Sequence, residues 1–346
     1  MKYIGNKTRL LDFIYDSMRA SNLPLSGTFI DIFAGTASVG QYFKNKGYKI
    51  ISNDFMTYSY FAQNVLVRIN SMPKFSKVSS NGIFGVLEIL NNLSPVSEDG
   101  FIFDNYAPGG KFGRQYFSDK NAKKIDAIRD KIEEWKNNGL LTEDEYFILV
   151  YSLVDAADFV ANISGTYGAY LKIWRSMALK DIELKIPTIT DNHQRNEVFC
   201  MDSNKLIKQI EGDILYLDPP YNERQYAPCF HVLESLTLWD KPVLHGKTGQ
   251  RDYSDKKSLY CQRQNASNAL KDLINSAKVK YIVLSYNNEG IIPREEIIKI
   301  LSSRGDLKEY EQIYRRFRTE RDTEKRHYKD CDDKVTEHLF ILTVKN

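Results

Sequence analysis

The sequence predicts an α/β protein built on a doubly wound, mostly parallel sheet, interrupted by an inserted, mostly helical segment. Three observations predict it. Short apolar runs alternate with helical stretches in the first 70 residues and again after residue 197. Three of those runs end on an aspartate (Asp54, Asp202 and Asp218), and a fourth carries Asp31 near its end. Between about Ser71 and Glu197 the strand signal gives way to helical spacing. Alternating strands and helices imply parallel pairing with right-handed crossovers.

Taken in order, Thr8 to Ala20 carries Leu11, Ile14, Tyr15 and Met18 at helical spacing. Thr28 to Phe33 is a short buried strand, a glycine-containing loop runs from Ala34 to Ser38, and Val39 to Lys46 reads as helix. Gly47 breaks the chain before a second strand, Lys49 to Asp54, which completes a βαβ unit. In the insert, Asn105 to Arg114 is rich in Gly, Tyr and Pro and reads as an extended loop. Asp119 to Lys136 is a charged amphipathic helix with Ser118 as its N-cap, and Glu143 to Ala161 is a helix apolar on most faces. The sheet resumes with Val198 to Asp202, a helix from Ser203 to Ile210, and the strand Ile214 to Asp218. Helices His231 to Trp239 and Ala266 to Ser276 follow, then the strand Lys280 to Tyr286. Lys308 to Arg318 and Thr336 to Lys345 alternate like two paired strands. The expected division is a catalytic part of residues 1–70 and 198–346 around an inserted part of residues 71–197.

At 346 residues the chain exceeds one modest core. With 42% hydrophobic and 27% charged residues it has an ordinary soluble composition, and a net charge of +3 requires any basic surface to arise by local clustering. Four scattered cysteines without a C-x-x-C pair argue against zinc and against a disulfide framework. The N-terminal residues lack an apolar signal core and no run reaches membrane-spanning length, so a cytoplasmic protein without a membrane partner is expected.

Asp218-Pro219-Pro220-Tyr221 follows the apolar run Ile214 to Leu217. Two prolines fix φ twice and remove two backbone donors, so the turn cannot relax into helix. It offers a carboxylate, the Pro219 carbonyl and a ring, which together can grip a planar group bearing an NH₂: two acceptors for its two N–H bonds and a face to stack on. The structural alternative is a strand that ends in a proline-rich turn.

Lys2-Tyr3-Ile4-Gly5-Asn6-Lys7, the loop Asp31 to Thr36, Asn53-Asp54 and the Asp-Pro-Pro-Tyr turn occur in a fixed order. That order resembles the Dam-like adenine-N6 DNA methyltransferases, whose recognition insert precedes the catalytic turn. Tyr221 to Tyr226, His231 to Glu234, Gly165 to Lys172 and Arg114 to Phe117 are most similar to the branch that accompanies type IIS restriction enzymes, the FokI methyltransferase-like group. The resemblance spans most of the chain and implies a Rossmann-like methyltransferase fold. It departs at Ala37, where the family's loop usually has a second glycine; alanine suits a helix start better than a positive φ.

A carboxylate closing the first strand, a glycine and a carboxylate closing the second strand form a nucleoside-binding arrangement at the carboxyl edge of a parallel sheet. Asp54 follows Gly35 by 54 − 35 = 19 residues, and no G-x-G-x-x-G is present, which disfavours a pyrophosphate. The resemblance then implies S-adenosyl-L-methionine as cosubstrate, with no metal. Asp31 is expected near its amino group, Phe33, Ala34 and Gly35 beside it, Asp54 on the ribose hydroxyls and Asp202 on the adenine amine. Tyr3 and Lys7 resemble the segment that closes over the methionine carboxylate, although Lys7 would equally suit an exposed helix start.

Asp218 and Pro219 are expected to accept the two N–H bonds of a target adenine flipped from duplex DNA, with Tyr221 stacking on the base. Asn222, Arg224, Gln225, Arg114, Tyr167, Lys172 and Arg251 are the expected DNA-binding residues, although core, capping or solvated roles suit each of them. Tyr314 to Lys329 carries seven Lys or Arg against three acids and reads as a phosphate-facing hairpin or a solvated loop. The expectation is therefore a site-specific DNA adenine-N6 methyltransferase, a monomer or weak dimer, whose endonuclease is a functional and not necessarily physical partner. An RNA adenine or cytosine-N4 methyltransferase, or a catalytically silent nucleic-acid-binding module, remains the alternative.

Overall fold

The structure is a computed structural model that describes residues 5–96, 100–315 and 334–345. Tyr3 and the basic segment beyond Arg315 lie outside the described residues. Two compact units form: one is centred on Met56–Asp191 with Tyr226–Asp255, the other on Asn6–Phe55, Asn192–Gln225 and Lys256–Asn346.

The second unit contains a seven-stranded sheet: β1 Thr28–Asp31, β2 Lys49–Asn53, β3 Glu197–Phe199, β4 Ile214–Leu217, β5 Tyr281–Asn287, β6 Gly305–Arg315 and β7 Lys334–Val344. The order is β3-β2-β1-β4-β5-β7-β6. The first five are mutually parallel and β7 pairs antiparallel with both β5 and β6, so the α/β mixed sheet agrees with the expected class. Strand order reverses between β1 and β4, the position where open α/β sheets hold their ligands. Side chains alternate between faces as a strand requires. Ile30, Leu215, Leu217, Ile282 and Leu284 pack with Leu270 and Leu273 of helix Ala266–Ser276 and with Ile297 and Leu301 of helix Arg294–Ser302. On β1 and β4, Phe29 and Tyr216 belong to a different ring cluster, where Phe29 stacks on Phe43 of helix Ser38–Asn45 at 4.0 Å.

Ala37 corrects an expectation. It adopts a left-handed φ of 67° just before helix Ser38–Asn45. Its N–H donates to Ala34 O at 2.8 Å, so the tight loop dictates the conformation. The penalty for a Cβ there is roughly 1–2 kcal/mol.

The first unit is mostly helical: Thr57–Gln63, Gly82–Asn92, Phe101–Tyr106, Asp119–Asn137, Glu143–Phe159 and His231–Leu238. Ser118 caps its helix by accepting from Asn121 N, and Thr142 and Glu145 form a reciprocal capping box. Phe101–Tyr106 is helical, so the loop expected from Asn105 begins only after it. The unit divides from the sheet after Phe55 and after Asp191, where the sequence suggested residues 70/71 and 197/198. Residues 226–255 join it through buried polar contacts. Glu234 accepts from the N–H groups of Thr57 and Tyr58, both at 3.0 Å. The Arg129 guanidinium donates to Leu236 O at 2.9 Å and Thr237 O at 3.1 Å.

Candidate active site

Register brings the acids together. Asp31 pairs with Ser52 on β2 and Tyr216 on β4, so Asp54 and Asp218 each lie two residues beyond the position opposite Asp31. All three therefore emerge at the carboxyl edge of neighbouring strands.

Asp218 is 17% exposed and its Oδ1 lies 3.2 Å from Lys7 Nζ. Lys7, only 5% exposed, also donates to Glu337 Oε1 at 2.7 Å. Glu337, on β7, accepts in addition from the Ser285 hydroxyl on β5. Burial by itself would lower the Lys7 ammonium, but Asp218 and Glu337 hold it well above the ordinary lysine value. Burial pushes the Asp218 carboxyl up, the Lys7 charge pulls it down and Glu337 pushes it up again, leaving it at about 7. Lys7 is thus buried beside the Asp-Pro-Pro-Tyr turn, which excludes the exposed alternative. Sequence reasoning missed Glu337 and Ser285, since neither carries a motif.

Asp31 is buried, and its Oδ2 accepts from Gly40 N at 3.1 Å at the start of helix Ser38–Asn45. Its Oδ1 is buried with no hydrogen-bond partner. Burial first, and then the nearby Asp218 and Asp54 charges, push its carboxyl well above the usual range, against the lowering effect of Gly40. Asp54 Oδ2 accepts from Gly35 N at 2.9 Å, and Ala34 N bonds Asn53 O at 2.9 Å, so the loop after β1 is tied to the end of β2. Phe33 meets Tyr260 edge-on at 5.0 Å. Asp202 Oδ1 caps the short helix Ser203–Leu206 by accepting from Lys205 N at 3.0 Å. Tyr260 is a further aromatic neighbour for which the sequence offered no signal.

Pro219 is buried, and Tyr221 is half-buried against the sheet's apolar cluster, its carbonyl accepting from Ile291 N at 2.9 Å. Arg224 is exposed, and Asn222 Oδ1 accepts from the Arg224 N–H at 3.0 Å. Gln225 forms a reciprocal pair with the Ser258 backbone at 3.1 and 2.8 Å, so its amide serves to hold that loop.

In the helical unit, two residues expected on a DNA-facing surface lie inside. Arg114 is buried, and its guanidinium donates to the carbonyls of Asn105, Gly246 and Lys247. Tyr167 is buried with its hydroxyl on Asp158 at 3.1 Å. Carbonyls and a buried acid satisfy these groups, a demand that a charge-and-ring pattern does not reveal. Arg251 pairs with Asp240 at 2.7 Å. Lys172 is exposed, and the loop carrying it is held from behind: Asn162 bonds Leu171 O and Arg175 N, and Gln115 bonds Lys172 O.

Residues 3–300 match the D12 class N6 adenine-specific DNA methyltransferase family. The chain belongs to that family. It is 40% identical over 346 residues to the type II methyltransferase M.FokI of Planomicrobium okeanokoites, covering 99% of this chain and 52% of that protein. It is 42% identical over 302 residues to the modification methylase StsI of Streptococcus sanguinis, covering 87% of this chain and 46% of that one. Against M.NlaIII of Neisseria lactamica it is 39% identical over 345 residues, 99% of each. The chain thus spans about half the length of the first two relatives and nearly all of the third.

Membership of the D12 class implies S-adenosylmethionine as cosubstrate. The residues fit it: the unpartnered Asp31 oxygen, set among carboxylates, suits a cationic ammonium, and a sulfonium suits the same surroundings. Among the described residues, Glu309, Glu311 and His338 also bring a ligand atom each within 4.8 Å of one another, with Arg294 already donating to Glu309 at 2.8 Å. None of the described helices is long and apolar enough to cross a membrane.

Proposed function

We propose that this D12-class chain is a site-specific DNA adenine-N6 methyltransferase, the modification enzyme of a restriction–modification system. The observation that carries the reading is the pairing of an acceptor carboxylate, Asp218, with a cation-seeking one, Asp31, at the switch point of the sheet. S-adenosylmethionine, when bound, supplies the electrophilic methyl group. Asp31 holds its ammonium, Asp54 and the Gly35 loop meet its ribose, Phe33 flanks it and Asp202 meets its adenine.

Asp218 and the Pro219 carbonyl accept the two N–H bonds of the extruded adenine, which lets its nitrogen pyramidalise and turn its lone pair toward the methyl carbon. As the N–CH₃ bond forms, the sulfonium S–CH₃ bond would break and its electron pair leave with the neutral thioether. The Asp218 carboxylate stabilises the charge developing on that nitrogen, whose extra proton then passes to Asp218 or water. Tyr221 stacks on the base. Arg224, Asn222 and Lys172 meet DNA directly; Gln225 braces the Ser258 loop within the sheet unit, and Arg251, Arg114 and Tyr167 brace loops within the helical unit. Sequence reading resides in the helical unit. The protein works in the cytoplasm as a monomer or weak dimer, without a metal, beside an endonuclease that need not bind it.

Expression in a host lacking adenine methylation, followed by single-molecule mapping of 6-methyladenine, tests the reading. Modified adenines recurring in one short sequence support it. Methylation confined to cytosine N4 or to RNA replaces the substrate, and cofactor binding without transfer leaves a silent binding module.

A further inference from the structure

The buried charge group at Asp218 is completed by a residue that lies past the residue-300 end of the family match. Glu337 on β7 is 1% exposed, and its Oε1 accepts from both Lys7 and the Ser285 hydroxyl. The Lys7 ammonium, 3.2 Å from Asp218 Oδ1 and 2.7 Å from Glu337 Oε1, is divided between two carboxylates. Held by Asp218 alone, it would close into a contact pair, occupying the acceptor oxygens and lowering their basicity.

We infer that Glu337 is a positioning residue for methyl transfer: it draws the Lys7 ammonium off Asp218, so that the Asp218 carboxylate stays free to accept the N–H of the target amine. Ser285, donating to the same Glu337 oxygen, sets how strongly Glu337 pulls. The inference rests on the adenine-N6 reading. The groups facing Asp218 are Lys7 from the N-terminal segment, Asp31 on β1, Tyr216 on β4, Tyr221 in the turn and Glu337 on β7.

Two opposite shifts follow. Glu337→Gln removes a like charge and releases Lys7 to Asp218, so Asp218 becomes harder to protonate. Ser285→Ala removes one donor from the Glu337 oxygen, which then pulls Lys7 harder, and Asp218 becomes easier to protonate.

The test is single-turnover methylation of a duplex oligonucleotide against pH, with calorimetric S-adenosylmethionine affinity for each variant. Carboxyl ¹³C NMR of Asp218, assigned with Asp218→Asn, reads the same ionisation without catalysis. Glu337→Gln is expected to slow transfer about tenfold or more, with affinity within about threefold and the acid limb moved down. Ser285→Ala moves the limb up, and Glu337→Asp returns it toward the parent. Limbs that stay in place or move together, or rate and affinity falling in proportion, overturn the inference. If Glu337→Gln does not fold, the upward shift of Ser285→Ala decides alone. If the parent transfers no methyl to DNA, the adenine reading fails, and the NMR titrations still judge Glu337.

Discussion

Asp54 Oδ2 accepts a hydrogen bond from the Gly35 N–H at 2.9 Å, so the acid at the end of β2 and the glycine of the loop after β1 form one unit. A ligand held by either depends on both. Asp54→Ala removes a charge-assisted bond to the loop together with the proposed ribose acceptor. Such bonds contribute roughly 1.5–3 kcal/mol, so the cofactor dissociation constant should rise about tenfold to a hundredfold. Calorimetry showing unchanged affinity would remove Asp54 from the site.

If Asp218 accepts from the target amine as proposed, Asp218→Ala should leave cofactor affinity within a few-fold while nearly abolishing transfer. Equal losses in binding and rate would move it to the cofactor side. Its carboxyl, pushed up to about 7, also predicts a pH dependence. Transfer needs the ionised form, so kcat/KM for the free enzyme should rise with pH through about 7. A bound sulfonium favours ionisation, so the acid limb of kcat should lie lower. For stability the sign is reversed. The folded state binds this proton more tightly than the unfolded chain, so the contribution is fully present below the unfolded carboxylate value and is lost as pH rises through about 7. Urea melts of the parent and of Asp218→Asn across that window measure it.

Tyr221 packs against the sheet's apolar cluster yet remains half-exposed at the turn. Tyr221→Phe should be mild because stacking survives loss of the hydroxyl, whereas Tyr221→Ala should be severe. Base–aromatic stacking contributes ~1–3 kcal/mol, roughly a tenfold to hundredfold effect on single-turnover methylation. A target adenine opposite a mismatch is already partly unstacked and should rescue part of the loss. Extrusion read by 2-aminopurine fluorescence, normal in Tyr221→Ala with parental rates, would return the ring to a core role.

Arg129 is buried and donates to the carbonyls of Leu236 and Thr237, to Glu133 and to the Tyr146 hydroxyl. Arg129→Ala takes this donor from the Leu236 and Thr237 carbonyls, at about 1–3 kcal/mol for each buried acceptor left unsatisfied, and should destabilise the helical unit, read by chemical denaturation. The same bonds bear on specificity. A chimaera exchanging residues 71–197 alone with a relative severs them and should melt lower. One exchanging residues 56–191 together with 226–255 should fold and carry sequence preference with it. If that second chimaera methylates its original site, recognition lies in the sheet unit.

Much of the fold was legible because its signals are local. Alternation and Pro-Pro chemistry marked β4 and its turn, and Ser118 and the amphipathic spacing marked the long helix Asp119–Asn137. Helices Thr57–Gln63 and Gly82–Asn92 escaped because a short helix buried on several sides has a weak periodic signal. Arg114 and Tyr167 looked like surface ligands because composition records a side chain's chemistry but not whether carbonyls already consume it.

The sequence by itself determined the parallel sheet, the order of the motifs and the acids that end the strands, since each follows from residues within one turn or strand of one another. Only the tertiary structure decided that Lys7 lies between Asp218 and Glu337, that one Asp31 oxygen is left without a partner, and that residues 226–255 complete the helical unit. Those outcomes depend on strand register and on burial, which set distances between residues far apart in the chain and make an unpaired charge costly; neither is encoded in any local stretch of residues.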